Sequence, residues 1–159
     1  MSQRGRDWLV GLEGGCRLKA YYDSGGIPTI GVGMTYWPGT GGKRRVKTGE
    51  CLDSKAQGLQ LFARTLAPYE ATVDAVTRDS ITQHEYDAFV SLCYNIGQAA
   101  FKASSAVRLF NAGEPGSVVT DALSRWCRVD GRINEGLVER RACEADLYTL
   151  GRYRLQGEH

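Results

Sequence analysis

The feature that most limits how this chain can fold is the crowding of glycine toward one end. Of the 20 glycines in 159 residues, 12 fall within the first 50, and each glycine inside a helix costs about 1 kcal/mol relative to alanine. Past a short opening helix, that stretch must therefore be turns and short strands. Beyond Cys51 the apolar residues recur at helical spacing instead. The chain is expected to be an α+β protein, a small Gly-rich antiparallel β lobe followed by a larger helical lobe.

The local signals fill in that outline. Trp8, Leu9, Val10 and Leu12 have helical spacing, and Gly14-Gly15 ends the helix. Leu18, Ala20 and Tyr22 alternate with Lys19 and Tyr21, Asp23-Ser24-Gly25-Gly26 is turn chemistry, and Thr29–Thr35 returns as a strand, so the segment reads as a hairpin. Tyr36 to Glu50, with Pro38, Gly39, Gly41, Gly42 and Gly49, reads as a loop with at most one more short strand. Ser54 with Gln57 and Thr82 with Glu85 have capping-box spacing and open helices. Pro68 should end or kink the first of these at about Ala67. The second should bury Tyr86, Phe89, Val90, Cys93 and Tyr94. Ser105 opens a further helix that Gly113 closes, and Ser117–Trp126 and Glu135–Leu150 supply two more.

Several function classes are excluded early. A formal charge of +2 is too small for a dedicated nucleic-acid binder. No apolar run approaches the ~18 residues of a membrane span, and the first residues lack a signal-peptide core, so the chain is expected to be soluble, made in the cytoplasm, and not inserted in a membrane. Five widely spaced cysteines without a C-x-x-C pair argue against a ribbon or finger zinc site and against a disulfide framework. Cys16 with His84 is the one thiol–imidazole combination worth naming. The glycines around Lys43 fail the phosphate-loop pattern, because Trp37 and Arg44 stand where Gly and Ser or Thr are required, and Gly31-Val32-Gly33 is an incomplete dinucleotide fingerprint.

What remains is a pair of carboxylates in different settings. Glu13 follows an apolar stretch and sits beside two glycines, so a helix end could half-bury it. Asp23 sits at a turn after a strand, among backbone N–H groups and solvent. Two carboxyl groups in unlike environments, one giving a proton and one staying ionised, are the recurring arrangement for cleaving a glycosidic bond. Thr29, six residues after Asp23 across the hairpin, could place a hydroxyl near the same spot and hold a water. Spacing alone leaves the plain readings open: a surface acid at a helix end, a turn former and a β-former.

A resemblance then narrows the choice. Leu12-Glu13-Gly14, Arg17-Leu18-Lys19-Ala20-Tyr21 and Asp23 through Thr35 resemble the signature of the phage-type lysozymes, the endolysins of glycoside hydrolase family 24. Gln83–Leu92, Asn95-Ile96-Gly97, Phe101, Leu109–Gly113, Trp126 and Gly136–Tyr148 resemble the family's helical segments, so the likeness spans about residues 8 to 150. It implies a lysozyme-like fold over residues 1–159, with a β-rich lobe over 14–52 and a helical lobe over 53–159. A helix over 5–13 would pack on the helical lobe, and a cleft would lie between the lobes.

The resemblance also implies a function. The chain would be a muramidase, a peptidoglycan hydrolase cleaving the β-1,4 bond between N-acetylmuramic acid and N-acetylglucosamine with inversion. Glu13 would be the proton donor, Asp23 would assist the water, and Thr29 would help position it. No metal or organic cofactor is implied. The family's arginines near the catalytic glutamate make Arg140 or Arg141 a candidate partner for Glu13; the alternative is a solvated charge pair at a helix start. The chain would act as a monomer, accumulate in the host bacterial cytoplasm, and reach the periplasm and cell wall when a holin releases it.

Two departures stand out. Asp23 lies one residue further from Glu13 than the family usually places it, which Gly14-Gly15-Cys16 could absorb as a bulge, and Met34 stands where the family often has histidine. If the extra residue is not absorbed, the chain would be a catalytically weakened peptidoglycan-binding or virion-associated module. The basic run Lys43-Arg44-Arg45-Val46-Lys47 reads either as a solvated loop or as an attractor for the anionic envelope.

Overall fold

A computed structural model describes residues 1–23, 25–38 and 43–158. Ser24 of the expected turn and Gly39, Gly41 and Gly42 of the expected loop lie outside the described residues. The elements in chain order are α1 (Gln3–Leu12), β1 (Arg17–Tyr22), β2 (Pro28–Gly31), α2 (Lys55–Val76), α3 (Gln83–Ile96), α4 (Gln98–Lys102), α5 (Ser105–Asn111), α6 (Gly116–Ser124), β3 (Arg128–Val129), β4 (Arg132–Ile133) and α7 (Glu135–Leu150). The mixture of many helices with two small antiparallel sheets is the expected α+β class. The chain divides into two compact units, one of Leu9–Ala67 and one of Met1–Trp8 with Pro68–His159.

In the unit Leu9–Ala67, β1 and β2 form an antiparallel hairpin pairing Tyr22 with Pro28, Tyr21 with Thr29 and Arg17 with Gly31. Between Tyr21 and Arg17 the register slips, because β1 spends more residues than β2 over that interval. The bulged residues find partners on the other edge: Ala20 N–H donates to the Glu50 carbonyl at 2.9 Å and Leu52 N–H to the Leu18 carbonyl at 2.8 Å. The expected strand over Thr29–Thr35 is interrupted. It reverses at Gly31-Val32-Gly33, so that Ile30 and Met34 bond to each other in both directions. Residues 35–37 then pair with 44–46. These short segments turn Ile30, Met34, Val46 and Leu52 inward to form the core of the unit, with Cys16, Ala20, Trp37 and Leu61 packed against them.

α2 starts where the Ser54 signal places it, and the Ser54 hydroxyl accepts from Gln57 N–H at 3.2 Å. The Gln57 side chain takes the N–H of Asp53 and not that of Ser54, so the reciprocal box is displaced by one residue. The helix does not end at Ala67. It continues through Pro68 to Val76, leaving the Arg64 carbonyl without its usual donor. The division between the two units falls at that same peptide.

The second unit is held by aromatic packing and by buried charge. Phe89 on α3 meets Phe101, Phe110 and Tyr148 with ring centroids 5.4–5.5 Å apart. α3 was expected to bury one stripe, but Asp87 through Cys93 are buried without a break. A helix covered all round is a central one. Its start is as expected, with Thr82 N–H donating to Glu85 Oε2 at 2.8 Å. Asp87, fully buried, accepts from Ser2 N–H, Ser2 Oγ, Gln83 Nε2 and Tyr153 Oη. Ser2 also caps α1, accepting from Gly5 N–H at 2.9 Å. Gly5 lies so close to the Asp87 carboxylate that any Cβ would collide with it.

α7 keeps its expected bounds, and Asn134 caps it by accepting from Leu137 N–H at 3.0 Å. Of α5 the capping hydroxyl belongs to Ser104, one residue before the expected one. α4 and the β3–β4 hairpin were not anticipated, although the hairpin turns on Asp130-Gly131, a strong local signal, with Asp130 at φ 48. Arg140 and Arg141 are not a solvated pair. They are 6% and 1% exposed, and both ion-pair with the fully buried Glu144 at 3.2 and 3.0 Å. Ser91 Oγ adds a 2.7 Å bond to the same carboxylate. Removing Glu144 would take away the carboxylate that both buried guanidinium groups share. Glu144→Ala is therefore expected to lose about 3–5 kcal/mol of stability, read from urea unfolding; a loss below about 1 kcal/mol would show that the network is not required.

Candidate active site

Glu13, Asp23 and Thr29 all lie in the unit Leu9–Ala67, so their settings can be compared directly. Glu13 is the residue at which α1 stops. Its N–H still bonds to the Leu9 carbonyl, but Gly14 N–H turns to Gly11 and Gly15 N–H reaches back to Val10 at 2.8 Å. That pair of bonds is the Schellman closure, which needs a left-handed residue directly after the cap. Gly14 and Gly15 have φ of 78° and 89°, values an L side chain rarely adopts. The glycines thus terminate the helix at Glu13, and a separate register shift falls within β1, between Arg17 and Tyr21. The Glu13 side chain is half-buried.

Asp23 closes the β1–β2 turn with its own side chain. Its Oδ1 accepts from Gly25 N–H at 2.9 Å and Ile27 N–H at 2.8 Å, while its backbone N–H donates to the Ile27 carbonyl. This is the Asx geometry that short polar side chains supply at turns. The carboxylate is consequently fixed in direction. Thr29 is 2% exposed, and its hydroxyl donates to the Ile27 carbonyl at 3.0 Å. Ile27 therefore ties the aspartate and the threonine to one residue.

Tyr21 links all three. It is the ladder partner of Thr29 and carries the Arg17 guanidinium over its ring at 4.3 Å. Burial pushes its phenol above the ordinary range, Arg17 opposes that, and the charges of Glu13 and Asp23 add to the rise. Both carboxylates thus act on one phenol. Sequence reasoning did not single out Tyr21 or Arg17; their placement in one short strand was the available signal, and only the ladder shows what they face.

The other sequence candidates resolve differently. Burial raises the Cys16 thiol, with Lys55 only partly opposing it, which is the reverse of an activated thiolate. Cys93 and Cys143 are buried, and burial pushes the Cys93 thiol up to about 12. Arg140 and Arg141 serve Glu144 as described, and Arg141 Nη2 also donates to Asn95 Oδ1 at 2.6 Å. Met34 is a core residue of its unit and accepts at its sulfur from the Thr65 hydroxyl. Among the described residues no group of three or more His, Cys, Asp or Glu converges as a metal site, and no helix is long and apolar enough to cross a membrane.

Comparison with known proteins identifies the family and the fold. The phage lysozyme family model matches residues 12–144. The endolysin of Salmonella phage P22 is 35% identical over 136 residues, 86% of this chain and 89% of its own length. Among solved structures, the endolysin from Escherichia coli O157:H7 phage FAHEc1 superposes with a TM-score of 0.86 at 34% identity, covering 96% of this chain and 95% of that one. The muramidase domain of SpmX from Asticaccaulis excentricus gives 0.74 at 26% identity, over 93% and 96%. The family match takes in Glu13, Asp23 and Thr29 together with the helices through Glu144, and the chain belongs to the phage lysozyme family.

Proposed function

We propose that this lysozyme-type glycoside hydrolase lyses host cells by cutting peptidoglycan at the β-1,4 bond between N-acetylmuramic acid and N-acetylglucosamine, and that Glu13, Asp23 and Thr29 divide the work. Hydrolysis of peptidoglycan follows from the family; the assignment of roles rests on the local geometry. The observation that carries it is the turn in which Asp23 Oδ1 is held by the Gly25 and Ile27 N–H groups while the Thr29 hydroxyl bonds the carbonyl of the same Ile27.

The two carboxyl groups are held by different means, which suits different roles. Glu13, half-buried at the helix stop, gives its proton to the departing sugar oxygen as the glycosidic bond breaks. Asp23, with Oδ1 fixed by two backbone N–H groups, takes a proton from the attacking water on the opposite face of the ring, so the anomeric carbon inverts. The Thr29 hydroxyl already donates to Ile27. Toward that water its oxygen is therefore an acceptor, and the accepted hydrogen bond orients one lone pair of the water at the anomeric carbon.

Product analysis tests these roles. Purified peptidoglycan treated with the unmodified chain is expected to yield new reducing muropeptide ends by mass spectrometry, and Glu13→Gln or Asp23→Asn to lower the rate by at least ~10²-fold. Anhydro ends would move the chemistry to a transglycosylase. Wall binding without cleavage by the folded, unmodified chain would leave the weakened binding module that the extra residue between Glu13 and Asp23 makes conceivable.

Thr29 allows a finer test. Thr29→Ser keeps the oxygen and should retain most of the activity, whereas Thr29→Val keeps the branched shape and should lose about 10–100-fold in kcat, on the order of one hydrogen bond to the reacting water. Equal activity of the two variants would remove Thr29 from the mechanism.

The route to the wall is proposed by resemblance: the monomeric chain accumulates in the host cytoplasm and a holin releases it. In cells expressing the chain alone, activity is expected in the cytoplasmic fraction, with lysis only after a pore-forming protein is co-expressed. Periplasmic activity without that partner would contradict it.

A further inference from the structure

The chain's positive charge is not spread evenly. Lys43, Arg44, Arg45 and Lys47 face one carboxylate within residues 43–50, that of Glu50, so this short stretch carries more net charge than the whole chain's +2. The four cations and Tyr36 line an open cavity of about 620 Å³. The hairpin that builds it is firmly anchored: Tyr36 pairs with Arg45, Trp37 N–H donates to the Arg44 carbonyl at 2.9 Å, and Val46 between the cations is buried in the core.

The cations are also held in place. The Arg45 guanidinium lies over the Tyr36 ring at 4.9 Å and that of Arg44 over the Trp37 ring at 4.7 Å. Arg44 Nη2 donates to Glu50 Oε1 at 2.6 Å, while Glu50 Oε2 accepts from Trp37 Nε1 and Lys47 N–H. The Lys47 N–H first, then Trp37, hold the Glu50 carboxyl below its usual range. Glu50 thus stays charged and serves Arg44. Among the described residues Lys43, Arg45 and Lys47 form no ion pair.

We infer that Tyr36, Lys43, Arg44, Arg45 and Lys47 form a binding site for a phosphate-bearing polymer of the bacterial envelope. It rests on the wall-lysis reading above only for the source of the polymer. Several cations approach one open cavity from different residues, which suits a tetrahedral phosphate whose oxygens point several ways better than a planar carboxylate. The cavity's openness and its size, well beyond a single phosphate, suit a strand. A bilayer is the poorer match, because the lining offers cations and one tyrosine but no aliphatic side chain to insert. A site of this kind would raise the time spent near the wall without touching the glycosidic bond.

The test reads binding alone. Glu13→Gln protein, in which cleavage does not enter, is titrated with inorganic polyphosphate, with poly-L-glutamate of matched charge and with phosphatidylglycerol vesicles at low salt. Polyphosphate is expected to bind at least about tenfold tighter than polyglutamate, with affinity falling as salt rises. Adding Lys43→Ala, Arg45→Ala and Lys47→Ala together should weaken polyphosphate at least about tenfold. Because Arg45 stacks on Tyr36, Lys43→Glu with Lys47→Glu provides a second variant whose altered side chains stack on no ring, and it should weaken binding as much. Equal binding of the two polymers, capture by vesicles alone, or unchanged affinity in the folded double variant would each overturn the inference. Polyphosphate binding by a chain that cuts no glycan would leave this site standing and sink the catalytic reading alone.

Discussion

α1 has to stop at Leu12, and much of the candidate site follows from how it stops. A helix end leaves carbonyls without partners, and here Gly14 and Gly15 satisfy them by folding back on Gly11 and Val10. The manoeuvre requires a positive φ directly after the cap, here at Gly14, which glycine adopts without strain. It fixes the Glu13 carboxylate at the rim of the helix and releases the chain into β1 at Arg17. The Asx turn at Asp23 then reverses the strand and returns Thr29 opposite Tyr21. Three side chains with chemistry are thereby positioned by backbone geometry, through a helix cap, a turn and a ladder, and not by side chains reaching across a loop.

The rest of the structure supplies rigidity through buried charge. Asp87 gathers the Ser2 that caps α1, Gln83 at the start of α3, and Tyr153 beyond α7 on one carboxylate. Glu144 gathers Arg140, Arg141 and Ser91. Such networks hold their members in one arrangement because a half-satisfied version is worse than none in a low-dielectric interior. The contrast with the cations at 43–47 is instructive. Three of those form no ion pair among the described residues and remain exposed to solvent, where charge is cheap to maintain and available to a ligand.

Elements with local causes were legible in the sequence. Thr82 with Glu85 opened α3, the helix over Glu135–Leu150 was bounded by its own pattern, and Gly14-Gly15 ended α1, because caps and helix stops are decided within a few residues. The failures have equally physical causes. Pro68 removes one backbone hydrogen bond, a loss that a 22-residue helix tolerates. The strand after Thr29 is shorter than its apolar pattern, because Gly31-Val32-Gly33 continues that pattern while turning the chain. Of the two readings of Arg140 and Arg141, the solvated pair fails because Glu144, one turn on, is buried with them. The Asp130-Gly131 hairpin also has a local cause, a turn dipeptide between two short strands.

The sequence by itself determined the α+β class, the family, and the residue types that could act as acid, base and water holder, since these depend on short-range signals and on motif. Tertiary structure alone decided what those residues face. Tyr21 enters the site only because strand pairing sets it against Thr29 within the fields of Glu13 and Asp23. Four cations of a basic stretch and Tyr36 line one cavity only because strand pairing stacks two arginines on two aromatic rings. Register and pairing are non-local, so no window of sequence contains them.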